Sequence, residues 1–182
     1  IVAIISNGTT IADAGAFSSS LGSMVLIKTL TASSSSTLSF VHGASSVVLD
    51  NTYPIYLFKY FNVHPSSDSN EFQVNFTIDS GSNYNVTKTS TIFEGYHRED
   101  GTNGTLSYAG SDDLAQSTGD QTLGDNLGNH ADATLSGHLF LFNPSSTTFI
   151  TRSMRRKSYG STRTRTTRHV CLEKNKLVMI SI

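Results

Sequence analysis

Tryptophan is absent from this chain, cysteine occurs once and proline three times in 182 residues. A single cysteine, Cys171, excludes an intramolecular disulfide framework, so stability must come from packing. As a lone thiol beyond the basic tail, with no histidine-rich partner segment in the sequence, it is not read as a nucleophile. No segment approaches the ~20 apolar residues that a membrane helix needs, so no membrane partner is expected. The opening IVAII is too short for the core of a secretory signal, and no basic stretch precedes it. The chain starts without methionine, which reads as a processed or truncated start. No nucleophile elbow, phosphate-binding glycine loop or HExxH is present. An enzyme is therefore not expected: no catalytic residue, no metal ligand set and no cofactor-binding residue is assigned.

Basic residues are scarce too, until the end. Residues 1–150 hold Lys28, Lys59, Lys88 and Arg98 against thirteen acids, a net −9; residues 151–182 hold nine Lys/Arg against Glu173, a net +8. The near-neutral total conceals an acidic body and a basic tail.

What the chain does have is a period of two. EFQVNFTIDS sets Phe72, Val74, Phe76 and Ile78 on one face and Gln73, Asn75, Thr77 and Asp79 on the other, a half-buried strand. SMVLIKTLTAS reads as a strand with both faces partly apolar. YPIYLFKYFNVHP sets Tyr56, Phe58 and Tyr60 opposite Ile55, Leu57 and Phe61, which predicts a central strand covered on both sides and bracketed by Pro54 and Pro65. VAIIS, TLSFVHG, SSVVLD, NVTKTSTIFEGYH, TLSYAG, HLFLF and TTFIT are shorter strand candidates. SNGTT, DSGSN, EDGTNG and NPSS supply turns between them. Residues 110–137 have no clear period and read as a long loop with one helical turn at DDLAQ. KLVMISI at the end could supply an edge strand. Strands at this spacing without a helical stripe predict an all-β, single-domain β-sandwich of jelly-roll type over residues 1–150.

Candidate site residues are weak. Asp112, Asp113, Asp120, Asp125 and Asp132, with Asn126 and Asn129, are oxygen donors of the kind Ca²⁺ takes, but their spacing misses the EF-hand loop. His130 and His138 lack the two further ligands zinc requires; His42, His64 and His97 sit at strand ends. Asn7, Asn75, Asn85 and Asn103 begin Asn-x-Ser/Thr sequons. Tyr56, Tyr60, Tyr84, Tyr96 and Tyr108 could line a sugar-binding face, which makes a carbohydrate-binding module for host surface glycans the alternative function.

The phrases TIADAGAFSSSLGSMVLIKTLTASSSSTLSFVHG, VVLDNTYPIYLFKYFNVHP and LFLFNPSSTTFI resemble a family of virion structural proteins of marine tailed bacteriophages, cyanophages among them, over residues 6–150. The resemblance implies a non-enzymatic virion component, such as a capsid decoration protein or a part of the tail or fibre. It would form homo-oligomers and contact major capsid or tail proteins. Family members continue with further strands and a Gly-rich closing segment. Here the chain turns instead into RSMRRKSYGSTRTRTTRH, residues 152–169. Two readings follow: a change of frame or mistaken sequence from residue 151, or an arginine-rich arm that binds nucleic acid through phosphates.

Overall fold

Extended backbone dominates wherever apolar and polar residues alternate. The computed structural model describes the backbone of residues 4–6, 9–13, 16–17, 24–98, 100–145, 151–161, 164–174 and 179–181; side chains are described within 24–98 and 100–145, with Ile5 and Thr10. Among these residues the protein is all-β, its one helical element being a 3-10 turn at Gly110–Asp112. The chain divides into two units, Ile1–Thr31 and Ala32–Ile182.

In the first unit, β1 (Ile4–Ser6), β2 (Thr9–Asp13) and β3 (Ala16–Phe17) form a small antiparallel sheet in chain order. The strand expected at SMVLIKTLTAS does not form among the described residues, and Leu26 is 82% exposed. Apolar residues on both faces need cover on both faces, and alternation alone cannot supply it.

The second unit holds two antiparallel sheets. One runs β5 (Ile55–Val63), β10 (Thr134–Phe142), β11 (Thr151–Ser161), β12 (Thr164–Lys174), β7 (Lys88–Arg98), β8 (Gly104–Tyr108). The other runs β4 (Ser39–Val41), β13 (Met179–Ser181), β6 (Asn70–Thr77), β9 (Gln121–Leu127). Side chains from both sheets meet: Tyr60 and Leu135 share a buried cluster with Leu127, and Phe72 packs against it. The Tyr60 and Phe72 rings lie 4.9 Å apart, and Phe40 of β4 meets Phe58 of β5 edge-on at 5.4 Å.

Several expectations need correcting. Among the described residues β5 is an edge strand, paired only with β10. Its Tyr56–Phe58–Tyr60 face is buried as expected, but Phe61 on the other side is 71% exposed. Ile55 on that same side is 49% exposed as well, so the face stands open before the strand ends in a bulge: the register with β10 slips between Leu135 and Gly137, and Asn62 takes φ 51° while its N–H donates to Ser136 Oγ at 3.1 Å. An extra residue re-aims the strand end. β6 is buried on both faces from Val74 to Thr77, whereas Ile78 lies beyond its end and is exposed. SSVVLD forms no strand, although Val47 and Leu49 are buried. The supposed loop 110–137 contains all of β9 and the start of β10, and its helical turn lies at 110–112 rather than 112–116. KLVMISI supplies β13, which pairs with β4 and β6 on its two sides and so is interior. TTFIT lies mostly outside the described residues.

The backbone of the basic segment is committed to the larger sheet. β11 and β12 form a hairpin whose outer sides pair with β10 and β7. The side chains of its arginines, and of Cys171, lie outside the described set.

Candidate interaction surface

β7 alternates over its first half, from Lys88 to Phe93. Lys88, Ser90 and Ile92 point inward and are buried, while Thr89 and Phe93 face out. Cα pairing sets Phe93 opposite Tyr108 and Gly95 opposite Leu106 on the outermost strand, β8. Residues paired in this way share a face. Phe93 is 49% exposed, Leu106 81% and Tyr108 57%. The Phe93 and Tyr108 rings touch, with centroids 5.4 Å apart and planes tilted by 56°. Leu106 lies across Gly95, where an added Cβ would meet its Cδ1 at 3.6 Å.

Tyr108 is exposed but not loose. Its hydroxyl donates to Asp113 Oδ2. The other oxygen of that carboxylate accepts the Ile92 N–H at 2.8 Å, which ties the anchor to the buried side of β7. Gly110 lies against the ring edge, where a Cβ would approach within 3.1 Å. After β8 the chain continues along β7: Ala109 N–H donates to Ile92 O, Ser90 and Leu114 are bonded backbone to backbone, and Lys88 and Ser117 exchange bonds. Three residues of this apolar patch therefore sit on a fixed frame at a sheet edge.

The sequence candidates do not converge on a ligand. Asp113 orients Tyr108; Asp120 Oδ1 accepts from Asn75 Nδ2 at 2.6 Å; the Asp112 carbonyl accepts from Gln121 Nε2 at 3.0 Å. The Asn129 N–H donates to Asp68 at 2.8 Å. No group of three His, Cys, Asp or Glu suited to a metal occurs among the described residues. His64 Nε2 donates to the carbonyl of His130 at 2.9 Å, His138 packs edge-on against Phe140, and His42 Nδ1 accepts the Leu49 N–H at 3.1 Å. Tyr56 and Tyr60 are core residues. The Tyr56 hydroxyl bonds the backbone of Asp50, and burial raises its pKa. Tyr84 donates to Ser39 Oγ at 3.0 Å. Of the sequons, Asn75 is buried, Asn85 and Asn103 are exposed, and Asn7 lies outside the described residues.

A second polar centre was not anticipated from the sequence. Lys88 is 0% exposed. Its Nζ donates to Asn75 Oδ1 at 2.7 Å, Val86 O at 2.9 Å and Thr118 O at 3.4 Å, and stands 6.0 Å above the Phe76 ring. Burial pulls its pKa down from 10.5 to about 8, with Asp120 opposing. The signal was present: NVTKTSTI puts Lys88 on the same face as Ile92. Lysine is so seldom buried that a surface position is the ordinary expectation.

Compared with protein-family models, curated proteins and solved structures, the chain matches none of them.

Proposed function

We propose that this protein is a non-enzymatic structural component of a tailed-bacteriophage particle, a capsid decoration protein or a tail or fibre part, and that it works by assembly with its own copies and with other virion proteins. In this reading the second unit is a jelly-roll-type sandwich, supported by the meeting of side chains from both sheets at Tyr60, Phe72, Leu127 and Leu135. The observation that carries the reading is the Phe93–Leu106–Tyr108 patch. An exposed apolar cluster on an outer strand marks an interaction surface rather than a solvated one. Tyrosine held in place before contact loses little freedom on binding, which suits an interface anchor. Burying such side chains gains about 1.5–3 kcal/mol each, and symmetric repetition multiplies a weak contact into firm attachment.

The likeness of residues 6–150 to virion proteins of marine phages supplies the setting. Gradient-purified particles are expected to yield peptides of this chain by mass spectrometry in a fixed ratio to the major capsid protein. Peptides found in the infected-cell lysate but missing from the particles would defeat the proposal.

A further inference from the structure

Asn75 lies on β6 of the four-stranded sheet and Lys88 on β7 of the six-stranded one. Their side chains meet head to head and both are buried, with the amine 2.7 Å from the amide oxygen, while Asp120 beside them is exposed. On the far side of that amide, Nδ2 donates to Asp120 Oδ1 at 2.6 Å. The three acceptors around Lys88 Nζ are all neutral oxygens. A buried ammonium held this way is poorly compensated, whereas an uncharged amine beside an amide carbon is a nucleophile beside an electrophile. We propose that Lys88 and Asn75 join through a self-catalysed isopeptide bond, with Asp120 as the catalytic residue, so that an amide link staples the two sheets.

The chemistry balances without a cofactor. Lys88 Nζ attacks Asn75 Cγ and forms the new C–N bond; the Cγ–Nδ2 bond then breaks. The proton released by Nζ passes through the Asp120 carboxylate to Nδ2, which departs as ammonia. Asp120 ends as it began, and nothing is oxidised or reduced. A nitrogen already bonded to Oδ1 needs only a small swing out of the amide plane to reach the ~3–3.5 Å attack distance to Cγ. The lowered pKa of Lys88, about 8, leaves a usable share of free amine near neutral pH. With one cysteine in the chain, this bond would supply the kind of staple that disulfides give many secreted proteins.

The test uses the full chain, purified at mild pH and low temperature to suppress asparagine deamidation, and then denatured and digested. The linked protein is expected to weigh one ammonia less than its sequence. Trypsin should fail to cut after Lys88, and chymotryptic cleavage after Phe76 or Tyr84 should leave two peptides joined at Asn75 and Lys88. Joined peptides separate this bond from succinimide formation at Asn-Gly, which loses the same mass but links nothing. Lys88→Met should abolish the joined species. Asp120→Asn, close in shape, should slow its formation at least about a hundredfold, the usual lower bound for a positioned acid–base group. Full mass with free cleavage after Lys88 in folded protein would overturn the proposal, and linkage at the native rate in Asp120→Asn would remove Asp120 from it.

Discussion

Asp79 shows how a single polar side chain closes a connection between strands. It follows β6 in the segment DSGSN, takes the Thr77 hydroxyl, the Asn83 N–H at 2.9 Å and the Asn83 amide at 2.6 Å, and is itself exposed. The Thr77 hydroxyl first, then Asn83, hold its carboxyl at a pKa of about 2 against an ordinary 3.8. A carboxylate with a lowered folded pKa stabilises fully above its unfolded value, and that contribution disappears as pH falls through the folded one. The Asp79 contribution should therefore persist at pH 4 and fade toward pH 2. Carboxyl carbon NMR should give a midpoint near 2, and Asp79→Asn should flatten the acid limb of stability between pH 4 and 2. A midpoint near 4 would contradict the turn geometry. The turn itself was legible in the sequence, because Asp, Ser, Gly and Asn each favour it for a known reason. The bonding partners were not, since they depend on where Thr77 comes to lie.

Strands were legible to different degrees, and the differences have physical causes. β7 follows from alternation over its first half, Lys88 to Phe93, and the buried face of β5 from its tyrosines and Phe58. β9 was missed because QTLGDNL offers only Leu123 and Leu127, with Gln121 and Thr122 buried beside them. Periodicity reads apolar side chains, and this strand buries polar ones. The exposed side of β5 was misjudged because strand order decides cover, and strand order is not local. Of the patch, the sequence singled out Tyr108 alone, as one of five tyrosines for a sugar-binding face; Phe93 and Leu106 were visible only as apolar residues in TIFEGYH and TLSYAG, and pairing turned all three to one outer face.

Gly137 tests the β5–β10 pairing directly. Its Cα partner is Tyr60, and an added Cβ would lie 2.7–2.9 Å from three atoms of the Tyr60 ring end. Tyr60 is buried in the cluster with Leu127 and Leu135, so it has little room to retreat. Gly137→Ala should destabilise the protein by about 1–3 kcal/mol, as overpacking does, read from denaturant unfolding. Leu135→Ala, at a fully buried site, should cost about 2–5 kcal/mol. Neutral behaviour of Gly137→Ala would mean that Tyr60 is not seated where described.

At the scale of the molecule, the second unit combines a shared core, a buried polar junction between its sheets and an apolar outer edge. These features separate stability from assembly. Leu106→Glu places a charge on the edge patch and touches no core residue. It should change unfolding stability by no more than about 0.5 kcal/mol, as surface changes usually do, while lowering self-association or particle attachment. Loss of stability together with assembly would show the edge to be structural.

The most direct measurement is the position of this chain's density in a reconstruction of the intact phage particle. The account predicts repeated, symmetry-related copies of the protein, with Phe93, Leu106 and Tyr108 covered by a neighbouring subunit. A complete particle map with no place for this chain, or with that edge facing open solvent in every copy, would contradict it.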